Sequence, residues 1–202
     1  MNKLKMLATA GVLTATIALP GCGSSSSGGD MGSMSSPSAD PTVSSSGSPA
    51  TGAHNDADAM FAQMMIPHHR QAIEMADMIL AKQDIDPTVS ALATQIKGAQ
   101  TPEIDQMTGW LVGWGLNATP SMDMGMDGTM SQAGMDALDK ATGKDAEKLF
   151  LSGMISHHQG AIGMAKTELS NGQNIDAKKL AQSIADTQQI EINTMNRMLQ
   201  KY

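Results

Sequence analysis

The chain has little of what most protein cores and many catalytic sites depend on. Its 202 residues include one cysteine, and Phe, Trp and Tyr together make up 2%. A single cysteine excludes an intrachain disulfide and any zinc or iron–sulfur site built from several cysteines. With so few aromatic side chains, the core has to be formed by Leu, Ile, Ala and Met, and this composition favours helices over a β-sandwich.

Positive charge is also scarce. The sequence has 13 Lys and Arg against 20 Asp and Glu, which gives a formal net charge of -7. Because nucleic-acid binding depends on clustered positive charge, an acidic chain without a basic cluster is not expected to bind nucleic acid. The length suits one domain with its own core rather than two.

The lone cysteine lies at the end of an N-terminal export signal. Lys3 and Lys5 precede a short apolar run that ends in the letters LPGC, at Cys22. This pattern is typical of a signal peptide, and the run is short for a bilayer span. Its end resembles a bacterial lipobox. We predict a signal peptide over 1–21, lipidation of Cys22, and an exported protein anchored at the outer face of the cell membrane or in the periplasm. The alternative is a plain secreted protein with a spare thiol.

A Ser-, Gly- and Pro-rich stretch with almost no large apolar residues follows the signal. Residues 22–55 cannot bury a core, so we predict a disordered tether there. Beyond it, apolar residues recur at helical spacing. They predict helices over about 56–82, 86–113, 144–170 and 176–200. Pro67 is expected to kink the first helix, and Pro102 to bend or split the second.

One segment of the helical part occurs twice. FAQMMIPHHRQAIEMA at 61–76 is matched by FLSGMISHHQGAIGMA at 150–165, and the helices that follow them match as well. The offset is 89 residues for the first pair of helices and 88 for the second. Two αα-hairpins (56–116 and 144–202), joined by a long Met-rich crossover (117–143), predict an all-α, ferritin-like four-helix bundle, because each hairpin alone would expose an apolar face.

Two adjacent histidines stand in each copy, with methionines at matched places. His68 and His157 fall at the centre of an apolar stripe. His69 and His158 fall at its edge, nearer the neighbouring helix or solvent, since successive helical residues diverge by about 100°. Imidazole with thioether in a poorly hydrated pocket suits Cu(I) and the similarly soft Ag(I). The predicted metal ligands are His68, His69, His157, His158, Met64, Met65, Met75, Met154 and Met164.

Two further sets of residues are candidates for supporting roles. Glu103 and Glu191 occupy matched places on the partner helices, and we expect them inside the bundle as hydrogen-bond partners that orient a histidine. The crossover contains a Met-rich run whose flexible thioethers would capture a soft metal at the surface. Its candidate ligands are Met122, Met124, Met126 and Met130. A mobile crossover with exposed methionines is the alternative.

The doubled motif resembles a known bacterial family. MIPHHRQAIEMA and MISHHQGAIGMA, each followed by a helix of the form LA-x-x-I-x-x-x-Q-x-x-E-I-x-x-M, are similar to the domain of unknown function 305 family. The resemblance covers about 56–202. It implies a ferritin-like fold, export, and an association with copper, and in some members silver, in the cell envelope. The second copy departs from the pattern at Ser156, where the first has Pro67.

Three functions are compatible with these features. The leading one is a lipid-anchored protein that binds Cu(I) or Ag(I) for buffering, storage or resistance, without catalysis. The second is a ferritin-like iron or manganese oxidase that uses the histidines with Glu103 and Glu191. No Glu is followed three residues later by His, as di-iron sites of that fold require, and this counts against it. The third is a metal-free structural or protein-interaction bundle. Self-association as a homo-oligomer is left open.

Overall fold

The computed structural model describes residues 52–118 and 127–202, and the regular elements in that part of the chain are five helices. They are α1 (Asp56–Leu80), α2 (Pro87–Gly113), α3 (Gln132–Lys140), α4 (Gly143–Asn171) and α5 (Ile175–Leu199). The predicted all-α bundle is confirmed, and its four long helices lie within two residues of their predicted bounds. The ferritin-like classification stays a prediction. The signal peptide, Cys22 and most of the tether lie outside the described residues.

None of the helices in the described ranges is long and apolar enough to cross a membrane.

The first helix begins at a capping box. The Asn55 side chain accepts hydrogen bonds from backbone N–H groups of the first turn, and the Asp58 carboxylate accepts one from the Asn55 N–H at 2.6 Å. This reciprocal arrangement satisfies N–H groups that a helix start otherwise leaves unpaired. Just before it, the His54 ring stacks on Trp114 with centroids 4.4 Å apart. The end of the predicted tether over 22–55 therefore packs on the bundle, and specific contacts begin before residue 56.

The two hairpins meet through their first helices. α1 packs on α2, α4 packs on α5, and α1 also packs against α4. The start of α1 contacts the end of α4, because the Asn55 side chain donates to the Asn171 carbonyl at 2.9 Å, so the two helices are antiparallel. Their buried apolar residues form two clusters, one around Phe61 and Met65 and the other around Phe150 and Met154. The histidines lie between these clusters along both helices.

The crossover contains a helix that the sequence pattern did not predict. α3 begins after Ser131, whose hydroxyl accepts from the Gly134 N–H at 3.2 Å, and it buries Met135 and Leu138 against α1 and α4. Two buried residues in nine are too few to give a clear helical period. The cap at Ser131 is the signal that could have revealed it.

The prolines do not break their helices. α2 continues through Pro102, so the predicted split is wrong, and α1 continues through Pro67. A proline inside a helix removes only one backbone hydrogen bond. For Pro102 the freed carbonyl belongs to Gly98, which is exposed, and water satisfies a carbonyl at such a place.

Two carboxylates at matched places tie the hairpins together. Asp58 of α1 accepts a hydrogen bond from the backbone N–H of Asn174, the N-cap of α5, at 2.8 Å. Glu147 of α4 accepts one from the backbone N–H of Asp86, the N-cap of α2, at 2.5 Å. Each repeat therefore holds the hairpin turn of the other through a buried carboxylate. These contacts follow the repeat, but the sequence patterns used above did not single them out.

Glu168 breaks the repeat at a buried place. It stands where the first copy has Ile79, and only 1% of its surface is exposed. Burial and the neighbouring Asp58 carboxylate raise the pKa of Glu168 to about 8. Burial acts against ionisation of Asp58 as well. Hydrogen bonds from backbone N–H groups to its carboxylate outweigh that effect and hold the pKa of Asp58 below its ordinary value.

The raised pKa of Glu168 predicts that the protein loses stability as the pH rises. Its pKa is about 8 in the folded state against an ordinary value of 4.5. Between these values the folded state holds a proton that the unfolded state has lost, so the free energy of unfolding falls with rising pH, by at most about 1.4 kcal/mol per pH unit. Chemical denaturation should show that Glu168→Gln is more stable than the wild type by a margin that grows from about pH 5 to about pH 8.

The matched control is Glu74→Gln, which changes an exposed carboxyl on α1. Because this carboxyl lacks the burial of Glu168, Glu74→Gln should not reproduce the margin that grows with pH. A constant difference between Glu168→Gln and the wild type would contradict the assignment.

Candidate metal centre

The inner histidines of the two repeats meet between α1 and α4. The rings of His68 and His157 have centroids 3.7 Å apart and planes tilted by 39°. Both residues have 0% exposure. The internal repeat therefore brings two equivalent imidazoles into direct contact at the point where the two hairpins pack.

Hydrogen bonds fix which nitrogen of each inner ring carries the proton. His157 Nε2 donates to the backbone carbonyl of His68 at 2.8 Å, and His68 Nε2 donates to the carbonyl of Asp127 at 3.2 Å. Because a carbonyl oxygen only accepts, the proton of each neutral ring lies on Nε2 and the lone pair on Nδ1. Within 52–118 and 127–202, neither Nδ1 atom has a hydrogen-bond partner.

The outer histidines are held by glutamates from the flanking helices. His69 Nε2 lies 2.8 Å from Glu103 Oε2, and His158 Nε2 lies 2.7 Å from Glu191 Oε2. The hydrogen bonds expected from the sequence are present, and they keep Nε2 engaged at these rings too. Both histidines are 0% exposed, so they face the neighbouring helix, and the alternative that they face solvent is wrong.

Burial keeps the inner imidazoles neutral. It lowers the pKa of His68 to about 3, with a smaller contribution from the charges of His69 and His158. Burial and then the neighbouring His68 lower the pKa of His157 well below its ordinary value of 6.5. Since a metal binds the deprotonated imidazole, protons do not compete for these two nitrogens near neutral pH.

The predicted methionine ligands fall into two environments. Met65, Met75 and Met154 are fully buried in the apolar clusters on either side of the histidines. Met64 and Met164 are half-buried and line an open groove of about 400 Å³ between α1 and α4. Thioether sulfur is therefore present on the same two helices as the histidines, both inside the core and at a solvent-accessible edge. The ligand assignments themselves stay predictions.

The end of the crossover covers the histidine pair. Met122, Met124 and Met126 lie outside the described residues, whereas Met130 lies within them and packs on the bundle. The backbone of Asp127 supplies the carbonyl that His68 contacts. Sequence reasoning missed Asp127 and also Gln71, whose side chain binds the backbone of Met130.

The chemistry of the available ligands is nitrogen and sulfur. Among the residues that the structure describes, no three His, Cys, Asp or Glu side chains converge on a place that could hold a metal. Imidazole and thioether groups without a carboxylate cluster suit a soft ion better than a hard ion.

Two buried glutamines lie one turn before the two glutamates. Gln100 and Gln188 carry amide atoms that have no partner in the same part of the chain.

Fold and centre together define a small helical bundle of two repeated hairpins that enclose a buried histidine pair. The chain belongs to the DUF305 family, because the model of this domain of unknown function matches residues 58–199. No match was found among curated proteins.

Several solved structures are similar to this chain. A DUF305 protein of Streptomyces coelicolor, described as a predicted secreted protein, is 36% identical, with 72% of this chain and 93% of that chain covered and a TM-score of 0.68. A DUF305 fragment from Deinococcus radiodurans is 31% identical over 75% of this chain and 100% of that one, with a TM-score of 0.68. CopM in its Cu(I)-bound form is 33% identical, with 71% of this chain and 96% of the CopM chain covered and a TM-score of 0.60. CopM structures also exist in Cu(II)-bound, Ag-bound and apo forms.

The neutral inner histidines predict a loss of stability in acid. The unfolded chain takes up protons at these rings as the pH falls below 6.5, whereas folded His68 does so only near 3. The free energy of unfolding of the metal-free protein should therefore fall as the pH drops through this range, by up to about 1.4 kcal/mol per pH unit for each histidine. Urea denaturation at about pH 7 and about pH 5 measures the slope.

The double substitution His68→Gln/His157→Gln should make this slope shallower, because glutamine does not titrate. His54→Gln changes the histidine outside the two pairs, and the acid slope of the free energy of unfolding should remain in this variant. An acid slope that is as steep in the double variant as in the wild type would show that other groups cause it.

Proposed function

We propose that this chain is a copper-binding protein of the bacterial cell envelope, which holds Cu(I), and Ag(I) as its chemical analogue, through imidazole nitrogen and thioether sulfur. It buffers, stores or hands on the metal and catalyses no reaction. The observation that carries the proposal is the inner histidine pair: two neutral, buried rings in contact, with Nε2 engaged and Nδ1 free of partners among the described residues.

The surroundings of the pair favour a soft ion. Fully buried Met65, Met75 and Met154 stand near the histidines along α1 and α4, and thioether is a natural ligand for Cu(I). Glu103 and Glu191 hold the outer imidazoles, and such carboxylates orient histidine ligands and raise their basicity. The similarity to CopM, which has been solved with Cu(I), Cu(II) and Ag, agrees with this choice of metal.

The two alternatives explain less. An iron or manganese oxidase needs several carboxylates around the metal, and no such cluster forms within the described ranges. A purely structural bundle gains nothing from four buried imidazoles whose Nδ1 atoms lack partners in the described part of the chain, because an unsatisfied buried polar atom costs about 1–3 kcal/mol. Binding of a metal ion by Nδ1 atoms would explain why these nitrogens have no hydrogen-bond partner.

Attachment to the membrane through a lipid on Cys22 is part of the proposal. The LPGC sequence after an apolar run supports it. In cells, Cys22→Ser should move the protein from the membrane fraction to the soluble exported fraction, since the anchor is lost while the signal is kept. Fractionation with immunodetection measures this, and the neighbouring Ser24→Ala serves as a control. A Cys22→Ser protein that stays with the membrane fraction would contradict lipidation.

The inner pair provides the main test of copper binding. His68→Gln/His157→Gln should abolish high-affinity Cu(I) binding in a competition titration with a chromophoric Cu(I) chelator, while the circular dichroism spectrum stays helical. Glutamine keeps a polar side chain of moderate size but lacks the imidazole lone pair. Unchanged Cu(I) affinity and stoichiometry in the folded double variant would refute the assignment.

The glutamates provide a graded comparison. Glu103→Gln/Glu191→Gln should weaken Cu(I) binding by about 10- to 100-fold without abolishing it, because the carboxylates act on the imidazoles and not on the metal. Glu74→Gln, on the exposed face of α1, should bind Cu(I) as the wild type does.

A further inference from the structure

The two repeats differ at two places that face the crossover. Where α1 has Met64 and Gln71, α4 has Gly153 and Gly160 at the equivalent positions. A Cβ atom at Gly160 would overlap the backbone of Asp127, and one at Gly153 would overlap the side chain of Met130. The second copy therefore lacks side chains where the end of the crossover lies against it.

Residues 127–130 are held firmly in this position. Gln71 donates from Nε2 to the Met130 carbonyl at 2.9 Å and accepts from the Met130 N–H at 2.8 Å. Gly128 has a φ of +83°, and a Cβ there would overlap the Ser156 carbonyl, so this close approach requires glycine. Met130 is thus fixed by both of its backbone polar groups, and its side chain points onto α4.

The thioether of Met130 occupies the place of the missing side chain. Its methyl group would overlap a Cβ at Gly153, and its sulfur is 3.8 Å from the position of that Cβ. The methyl group of Met75 is 3.1 Å from the same point. The methyl groups of Met130 and Met75 therefore lie close together beside Gly153, which is one turn before His157 on α4.

The other side of the histidine pair has the equivalent arrangement. Met64 and Met164 line one groove between α1 and α4. By the repeat, Met64 corresponds to position 153 and Met164 corresponds to Met75. The crossover thus restores a methionine that the second repeat lacks, and two thioether pairs flank His68 and His157.

We propose that Met75 and Met130 form a second thioether site for a soft monovalent cation, Cu(I) or Ag(I), equivalent to the pair Met64 and Met164. This assignment rests on the proposed function and adds to it a ligand that comes from the crossover. The Met64 side is an open groove, whereas the Met75 side lies under residues 127–130. The two sites therefore differ in access: one is open to solvent and the other is covered.

The test is an Ag(I) titration of the full exported chain labelled with ¹³C at the methionine methyl groups. The methyl resonances of Met75 and Met130 should shift together, and those of Met64 and Met164 should shift as a second group. Met130→Leu, which removes the sulfur but keeps an apolar side chain, should bind about one Ag(I) per chain fewer and abolish the shift of Met75. Met198→Leu on α5, also half-buried, is the control and should change neither.

A relocated thioether completes the test. Met130→Ala/Gly153→Met removes the crossover side chain and places a methionine on α4, at the position equivalent to Met64. It should recover the lost Ag(I) and the shift of Met75, and Met130→Ala alone should not. This rescue separates loss of a ligand from loss of folding.

Two results would overturn the proposal. One is full Ag(I) stoichiometry in Met130→Leu with an undiminished shift of Met75. The other is a titration in which Met130 does not shift while Met75 does. If the wild type binds Ag(I), and His68→Gln/His157→Gln abolishes this binding, either result refutes the Met75–Met130 site alone. If the wild type binds no Ag(I), the proposed function itself fails.

Discussion

The hydrogen bond from the His157 imidazole to the backbone carbonyl of His68 is the contact on which the rest of the structure depends. It joins the two hairpins at the equivalent point of each, and it settles the tautomer of the ring that makes it. Placing two imidazoles in contact inside a core is tolerable only while both stay neutral, and burial ensures this by lowering the pKa of each. Neutral rings with Nε2 engaged are also the form in which histidine binds a metal, so one constraint serves both the packing and the chemistry.

The repeat provides symmetry, and its departures give the two sides of the centre different properties. Asp58 and Glu147 make equivalent ties between the hairpins. Gly153 and Gly160, in contrast, leave room on α4 for the crossover. One side of the pair His68 and His157 is consequently an open groove and the other is covered by residues 127–130. An exact duplication would not have seated the crossover in this way.

Much of the fold followed from sequence because it depends on local periodicity and on the repeat. The four long helices and their pairing were predicted from spacing. The matched places of Glu103 and Glu191 predicted a hydrogen bond to a histidine, but not that the partners are the outer histidines. The helix α3 was not, since it is short and has few buried residues. The contacts of Asp127, Gln71 and Glu147 were missed for another reason: they join segments far apart in the chain through backbone atoms, which leave no periodic signal. The one sequence signal for the seating of the crossover was the difference between Gln71 and Gly160, which occupy equivalent positions in the two repeats.

The central claim is that histidine nitrogen and methionine sulfur bind the same copper. X-ray absorption at the copper edge, on the full chain loaded with Cu(I), tests it most directly, because nitrogen and sulfur neighbours scatter differently. We expect both kinds of neighbour in the wild type, and we expect His68→Gln/His157→Gln, which loses high-affinity Cu(I) binding, not to give this mixed nitrogen and sulfur spectrum. A copper surrounded by nitrogen and oxygen alone, or a spectrum that the double substitution leaves unchanged, would contradict it.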